Sequence, residues 1–375
     1  MKIAMIGHKR IPSREGGVEI VVEELAKREA ALGNEITVYN RLGHHVSGSK
    51  FDSQIKSDDL KNIKIKTVFT FENSKLNAIV YSILSAIKVS FSNCDVVHIH
   101  AEGPASMSFL PKLFGKKVIV TIHGLDWQRS KWGGFATKYI KHGEKCAVKY
   151  ANEIIVLSEN VKKYFKEKYD RETIFIPNGI EKPTIRKANI IKNKYNLDKD
   201  DYILFLARIV PEKGLDDLLD AYEKIKTDKK LVIAGGASHT NDYLEHIKER
   251  VKNNKNIIMT GFVQGEELDE LYSNAYIYCL PSHIEGMPLS LLEAMSYKNC
   301  CLASDIDECK EVLEENGITF RKSDCEDLKI KLEDLIKDKE KVKKYKDSAQ
   351  EFILNKYNWD YVVEKTFKLY KKGDK

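Results

Sequence analysis

The chain has little of what marks several large classes of protein. Its seven cysteines, at 94, 146, 279, 300, 301, 309 and 325, form no C-x-x-C pair. Neither a zinc ribbon nor a disulfide framework is therefore indicated, and reduced thiols are expected. Long hydrophobic runs are missing too. The longest tempting stretch, Leu76–Ile87, holds 12 uncharged residues between Lys75 and Lys88, against the roughly 20 that span a bilayer. After Met1-Lys2 the apolar run Ile3–Ile6 reaches Gly7-His8-Lys9-Arg10 too early for a secretory signal, so a cytoplasmic protein is expected. A large excess of one charge is also absent. The 62 basic and 56 acidic residues leave a net +6, which excludes the basic footprint of a dedicated nucleic-acid binder.

What is present fits a globular protein: 42% apolar and 31% charged residues in 375, a length that predicts about two domains. Residues 1–180 carry 28 basic and 19 acidic side chains, and residues 181–375 carry 34 and 37. Halves of opposite sign predict domains with different partners.

Short Ile/Val-rich runs alternate with amphipathic stretches, the signature of parallel sheets covered by helices. Strands are predicted at Lys2–Ile6, Glu35–Asn40, Ile63–Phe71, Asp95–His100, Lys117–Ile122, Glu153–Leu157 and Thr173–Ile176. Helices are predicted from about Val18 to Ala31 and at Lys75–Phe91, Pro104–Phe114, Phe135–Tyr150 and Glu159–Lys168. Pro177-Asn178-Gly179 punctuates the chain, and Arg186–Asp201 reads as a linker or surface segment. A second set follows at Tyr202–Ala207, Lys230–Ala234, Asn256–Met259, Ile277–Leu280 and Cys300–Ala303, with helices only in the last fifty residues. The pattern predicts an α/β protein of two Rossmann-like domains, residues 1–180 and 181–356.

In open α/β sheets ligands bind beyond the carboxyl ends of the strands, which directs attention to the loops there. The densest is Pro281-Ser-His-Ile-Glu-Gly-Met-Pro-Leu-Ser-Leu-Leu-Glu-Ala-Met295. Pro288 is read as the first residue of a helix, Gly286 allows close backbone approach, and the amides of Met287, Leu289 and Ser290 suit a phosphate. Glu285 and Glu293 can accept paired sugar hydroxyls, although a surface helix with two solvated acids is the plain alternative. In Phe205-Leu-Ala-Arg-Ile-Val-Pro-Glu-Lys-Gly214, Arg208 and Lys213 can converge on the same strand-end cleft and meet a diphosphate.

Gly16-Gly17 follows the first strand without forming G-x-G-x-x-G, so the dinucleotide fingerprint is absent there. His98, His100 and His123 stand at strand ends, each open to a structural or a functional reading. Zinc on His98, His100 and Glu102 lacks a local fourth ligand. Asp305-Ile306-Asp307 matches a D-x-D metal motif but is equally a solvated turn. Leu76, Ile79, Val80, Ile83, Leu84, Ile87 and Phe91 fall at helical spacing and are expected to face the core. Residues 112–149 carry nine Lys or Arg with Trp127, Trp132 and Phe135 interleaved, which either contacts an anionic membrane or is a solvated basic face.

Together these segments resemble glycosyltransferase family 4, over nearly the whole chain. The resemblance rests on Glu285-x7-Glu293 within Glu-Gly-Met-Pro-Leu-Ser-Leu-Leu-Glu-Ala-Met, on Arg208 with Lys213, and on Pro177-Asn178-Gly179 and Gly16-Gly17. It implies a GT-B fold, two facing Rossmann-like domains with an interdomain cleft, and a final helix, residues 357–371, that packs back on the first domain. It further implies a retaining transfer from a nucleotide-diphosphate sugar to a saccharide, with no cofactor and no metal. Arg208 and Lys213 would hold the diphosphate with help from Gly286, Met287, Pro288, Leu289 and Ser290. Glu293 would bind the ribose, Glu285 the donor sugar, and Val263 would lie near the base. Gly16 and Gly17 would approach the phosphates, and His123 would sit beside the reacting sugar.

The segments Ile6-Gly-His-Lys-Arg-Ile-Pro-Ser-Arg-Glu-Gly-Gly-Val-Glu19 and His123-Gly-Leu-Asp-Trp-Gln-Arg129 are similar to bacterial rhamnosyltransferases of capsular and cell-wall polysaccharide. They suggest dTDP-rhamnose or a UDP-sugar as donor. The acceptor, with contacts expected from His100, Trp127 and Arg129, would be lipid-linked and met at the inner face of the plasma membrane. A nucleotide-sugar epimerase of the same fold is the alternative.

Overall fold

The computed structural model describes residues 1–14, 16–43, 60–71, 74–128, 133–236 and 241–373. They form two compact units: Met1–Gly179 with Trp359–Lys375, and Ile180–Asn358.

Unit 1 is a parallel sheet of seven strands: β1 (Lys2–Ile6), β2 (Glu35–Arg41), β3 (Ile63–Val68), β4 (Val96–His100), β5 (Lys117–Ile122), β6 (Glu153–Val156) and β7 (Ile174–Phe175). Their spatial order is β3-β2-β1-β4-β5-β6-β7. The helices are α1 (Gly17–Ala31), α2 (Ser74–Ser90), α3 (Glu102–Ala105), α4 (Phe109–Leu113), α5 (Gly134–Tyr150) and α6 (Glu159–Tyr169). The single helix predicted over Pro104–Phe114 is two. Pro104 and Pro111 each stand in the first turn of a short helix, where a missing N–H costs nothing. The strand predicted to run to Phe71 stops at Val68, leaving Phe69 and Phe71 exposed.

Unit 2 begins with α7 (Ile190–Tyr195). It continues as β8 (Tyr202–Leu206), α8 (Leu215–Tyr222), β9 (Lys230–Ala234), α9 (Asn241–Val251), β10 (Ile257–Gly261), α10 (Glu266–Asn274), β11 (Ile277–Leu280), α11 (Leu289–Ser296), β12 (Cys300–Ser304), α12 (Asp307–Leu313), β13 (Ile318–Phe320), α13 (Cys325–Lys337) and α14 (Lys339–Lys356). Its parallel sheet has the order β10-β9-β8-β11-β12-β13. Both faces are buried: Tyr202, Leu204, Tyr278 and Cys301 enter one core while Ile203, Phe205, Ile277 and Cys300 enter the other. That period of two inside continuous apolar runs is why the strands were legible. The three-residue β13 was not predicted.

Arg186–Asp201 is not a linker. Ile191 and Leu197 are fully buried, and the Glu270 carboxylate accepts the amides of Asn189 and Ile191 at 2.9 and 3.0 Å. Residues 357–371 are divided. Tyr357 is buried in unit 2, whereas α15 (Trp359–Lys371) lies in unit 1. There a side chain at Gly179 would overlap the Trp359 ring, and the Tyr370 hydroxyl lies 2.7 Å from His98 Nδ1.

Candidate active site

Each sheet reverses its winding once, between β1 and β4 in unit 1 and between β8 and β11 in unit 2. At such switch points the loops from two neighbouring strands part and leave room for a ligand. In unit 2 these loops are 207–214 and 281–288. Gly214, at φ +65°, packs where a Cβ would overlap the carbonyl oxygen of Pro281, so glycine is required for the loops to touch. The His283 amide donates to Glu212 O at 2.9 Å, and His283 Nε2 lies 2.6 Å from Asp217 Oδ2.

The contact brings Lys213 against Glu285. The ammonium forms an ion pair with Oε1, both side chains nearly buried, and the Ser282 hydroxyl donates to the same oxygen at 2.6 Å. A cation and a carboxylate this far from water are held in fixed positions by each other. Arg208 is half-buried on the same loop. The amide of its neighbour Ile209 donates to Gly236 O at 3.0 Å, and the Gly235 amide donates to Gly261 O at 2.9 Å, which ties together the loops after β8, β9 and β10. Val263, two residues beyond, is buried in the core.

Pro288 is the N-cap residue of α11 and not its first helical residue, so the helix starts at Leu289, one position after the predicted start, and no side chain caps it. The first turn carries no acid, so its amides and the positive end of the dipole meet whatever anion arrives. Met287, Leu289 and Ser290 are half-buried around that end, with Gly286 and Pro288 beneath. Glu293 lies in α11, its Oε2 accepting the Tyr272 hydroxyl at 3.0 Å. The D-x-D motif leads from β12 into α12, with Ile306 as N-cap and Asp307 as the first helical residue. Asp305 Oδ1 accepts the Lys322 amide at 2.8 Å and Asp307 pairs with Lys310 at 3.0 Å. Among the described residues no three His, Cys, Asp or Glu side chains gather as a metal site.

In unit 1 the switch point is walled by histidines. Gly7, at φ +109°, lies where a Cβ would overlap the backbone of His100. His98 is fully buried between Tyr370 and Thr121, whose hydroxyls lie 2.7 Å from its two ring nitrogens, and burial lowers its pKa to about 3. His8 is buried against Asn40, and burial lowers it to about 4. His100 is completely buried, so in this structure it backs His123 rather than facing an acceptor as predicted. Its Nδ1 lies 3.0 Å from His123 Nε2, and its own Nε2 has no partner. Burial and the neighbouring imidazoles push His100 well below the usual histidine range. A neutral ring has one N–H, and the cheaper arrangement places it where it is bonded. His100 Nδ1–H therefore donates, and neutral His123 must carry its proton on Nδ1.

The turn after His123 is anchored from below. Glu102 Oε2 accepts the Asp126 amide at 2.8 Å. Burial, with Asp126 and Glu144 beside it, pushes the Glu102 carboxyl well above the usual range. The Trp127 indole N–H donates to Glu144 at 3.2 Å, with Lys141 over the ring at 4.3 Å. Arg129 lies outside the described residues. Gly16 is the extended N-cap residue of α1 and Gly17 its first helical residue, again with no side-chain cap. Sequence reasoning missed Asp217, Tyr272 and Glu144. Each serves a site residue more than fifteen positions away, and no local pattern carries that information.

Comparison with known proteins agrees with both units. Residues 15–182 match the family described as Glycosyltransferase Family 4, and residues 187–352 match Glycosyl transferases group 1. An uncharacterised glycosyltransferase of Methanocaldococcus jannaschii is 26% identical over 363 residues, 95% of this chain and 94% of that one. The alpha-maltose-1-phosphate synthase of Mycobacterium tuberculosis is 24% identical over 311 residues, covering 75% and 80%. The solved structure of Anabaena HepE in complex with UDP-glucose superposes with TM-score 0.79 at 14% identity, covering 98% of each chain. The rhamnose specificity suggested by residues 6–19 and 123–129 does not follow from these relatives. The protein is a glycosyltransferase of the GT-B fold class, built from a family 4 domain followed by a group 1 domain.

Proposed function

We propose that the protein moves a sugar from a nucleoside-diphosphate sugar held in unit 2 to a saccharide acceptor held by unit 1, with retention at the anomeric carbon. The observation that carries this reading is the Lys213–Glu285 pair beside the uncapped start of α11. A diphosphate leaving group gains charge as the anomeric carbon–oxygen bond breaks. Cations and amides already fixed in place stabilise that charge more than they stabilise the bound donor. Lys213 supplies a point charge, Arg208 a planar fork, and Leu289 and Ser290 the amides. Glu285 holds Lys213 in place and offers its second oxygen to a sugar hydroxyl, while Glu293, steadied by Tyr272, receives the ribose.

In the proposed step the breaking bond leaves its electron pair on the phosphate oxygen. The acceptor oxygen bonds to the oxocarbenium-like carbon from the same face and passes its proton to the departing phosphate. His123, with Nε2 occupied by His100, acts as a hydrogen-bond donor to a substrate hydroxyl and not as a base. The fixed cations take the part a divalent ion plays elsewhere, so turnover survives chelation.

The favoured donor is a UDP-sugar, on the UDP-glucose held by HepE. dTDP-rhamnose is the second reading, on the similarity of residues 6–19 and 123–129. Both domain matches are to transferases, which favours transfer over epimerisation. A lipid-linked acceptor in cell-surface polysaccharide synthesis completes the proposal. Thermal shift with UDP-, dTDP-, GDP- and ADP-sugars, with and without EDTA, tests it. A donor at 100 times its Kd adds about 2.7 kcal/mol, and Lys213→Ala should lose most of that gain. The reading is overturned if no nucleotide sugar raises the melting temperature.

A further inference from the structure

We propose that Glu102 and Glu144 share one proton, and that this buried acid pair positions the turn after His123. Both residues are completely buried. They come from different helices, Glu102 opening α3 and Glu144 standing in α5. A glycine makes their approach possible. A Cβ at Gly143 would overlap the Glu102 carbonyl oxygen, so α3 and α5 touch backbone to backbone beside the two acids.

The partners of the two carboxyl groups are unequal. Glu144 Oε2 accepts the Trp127 indole N–H at 3.2 Å. Its Oε1 accepts the Tyr164 hydroxyl at 2.8 Å, the Lys168 ammonium at 2.9 Å and the Tyr169 hydroxyl. Several donors, one of them charged, are what an ionised carboxylate requires when it is buried. Glu102 receives one donor, the Asp126 amide at 2.8 Å on Oε2, and its Oε1 is buried without a partner. An oxygen that has no donor and lies beside a carboxylate is satisfied when it carries a proton and donates it there.

The surrounding charges agree. The titratable groups next to the pair are Asp126 on the turn and Tyr164, Lys168 and Tyr169 on α6. His100, two residues before Glu102, is neutral, and the Lys141 ammonium of α5 is directed over the Trp127 ring at 4.3 Å. Among the described residues Lys168 is the cation that pairs with either acid. Two buried carboxylates against one ammonium would leave an uncompensated negative charge, and one proton removes it. Burial and the two acids beside it raise the Glu102 carboxyl in the same sense. The pair thus clamps two successive residues, Asp126 by its backbone and Trp127 by its indole. In the function proposed above this turn is on the acceptor side, and that clause alone rests on that reading.

Glutamine imitates the neutral acid, since its carbonyl can accept the Asp126 amide and its NH2 can donate to Glu144. The test uses the full chain carrying Glu29→Gln, which removes the other described carboxyl raised by burial, to about 7. Its infrared spectrum at about pH 7 should contain a protonated-carboxyl C=O band that Glu102→Gln abolishes. Hydrogen exchange at the Asp126 amide and the Trp127 indole should stay as slow in Glu102→Gln as in the parent. Glu102→Ala should speed both about tenfold. Glu102 contributes stability below about pH 4.5 that is lost as pH rises through its raised folded value. The melting temperature of Glu102→Gln should therefore gain on the parent as pH rises. The proposal is overturned if Glu102→Gln removes no such band, or if it speeds exchange as much as Glu102→Ala does. No nucleotide sugar enters these measurements, so failure of the donor reading would leave them unchanged.

Discussion

At the switch point of unit 1, Gly7 lies against the end of β4; at that of unit 2, Gly214 lies against the residue after β11. The same tight approach of backbones is finished with different side chains. Unit 1 surrounds it with buried imidazoles that are neutral at physiological pH, and unit 2 places a fixed ammonium, a carboxylate and bare helix amides there. Neutral donors and acceptors suit hydroxyl-rich ligands, and fixed positive charge suits a phosphate. One architecture thus provides two chemistries, decided by a few residues after the strands.

Breaking the charged half should have the largest effect. Lys213→Ala should reduce kcat by about 10²- to 10³-fold, the range for deleting one preorganised charge-stabilising group, with an unchanged circular dichroism spectrum. The corresponding change to an exposed unit 2 cation, Lys298→Ala, should leave turnover intact. Nearly as large is a stability effect at the same pair. Glu285→Ala leaves Lys213 buried and unpaired and should cost about 3 kcal/mol in urea unfolding. Adding Lys213→Met should recover most of that loss; an additive double variant would show that the pair does not couple.

Acid should separate the units next. His8 and His98 hold folded values of about 4 and about 3, below the ordinary 6.5. The unfolded chain therefore takes up protons first. The histidine contribution to the stability of unit 1 is full above about pH 6.5 and falls towards pH 4 by about 1.4 kcal/mol per pH unit for each histidine, while the raised Glu29 and Glu102 carboxyls oppose it by taking up protons first in the folded chain. The described histidines of unit 2, His246 and His283, are both partly exposed. Trp127 and Trp359 belong to unit 1, and the sequence of unit 2 contains no tryptophan, so tryptophan fluorescence should report acid unfolding before amide exchange accelerates in unit 2. Simultaneous loss would break the comparison.

The smallest effect concerns one hydrogen bond. Nitrogen-15 spectra should show His100 and His123 with their protons on Nδ1. His100→Asn should lower kcat about tenfold, the worth of ~1.4 kcal/mol, with KM for the donor little changed. A His123 proton on Nε2 would contradict the assignment.

Much of this architecture was legible because buried parallel strands are continuous apolar runs, and because loops that follow strands advertise themselves by glycine, proline and charge. Tyr202–Leu206 and Ile277–Leu280 could be read locally, as could the charged loops after them. Their meeting could not: Lys213 and Glu285 are 72 residues apart, and His98 and Tyr370 are 272 apart. The α2 face was misread for a related reason: Leu76, Ile83, Ile87 and Phe91, expected in the core, are exposed. Hydrophobic periodicity sees an apolar side of a helix but not what lies opposite, and here Tyr81, Ala86 and Val89 make a second one, which is the side that enters the core.

The sequence by itself determined the alternation of strands and helices and the loops where chemistry could sit. These follow from local side-chain patterns. Only the tertiary structure decided which strands became neighbours, hence that Lys213 is held by Glu285, that His100 stands behind His123, and which side of α2 meets solvent. Those outcomes depend on packing between segments distant in the chain, and a pattern of neighbouring residues holds no record of what will be pressed against it.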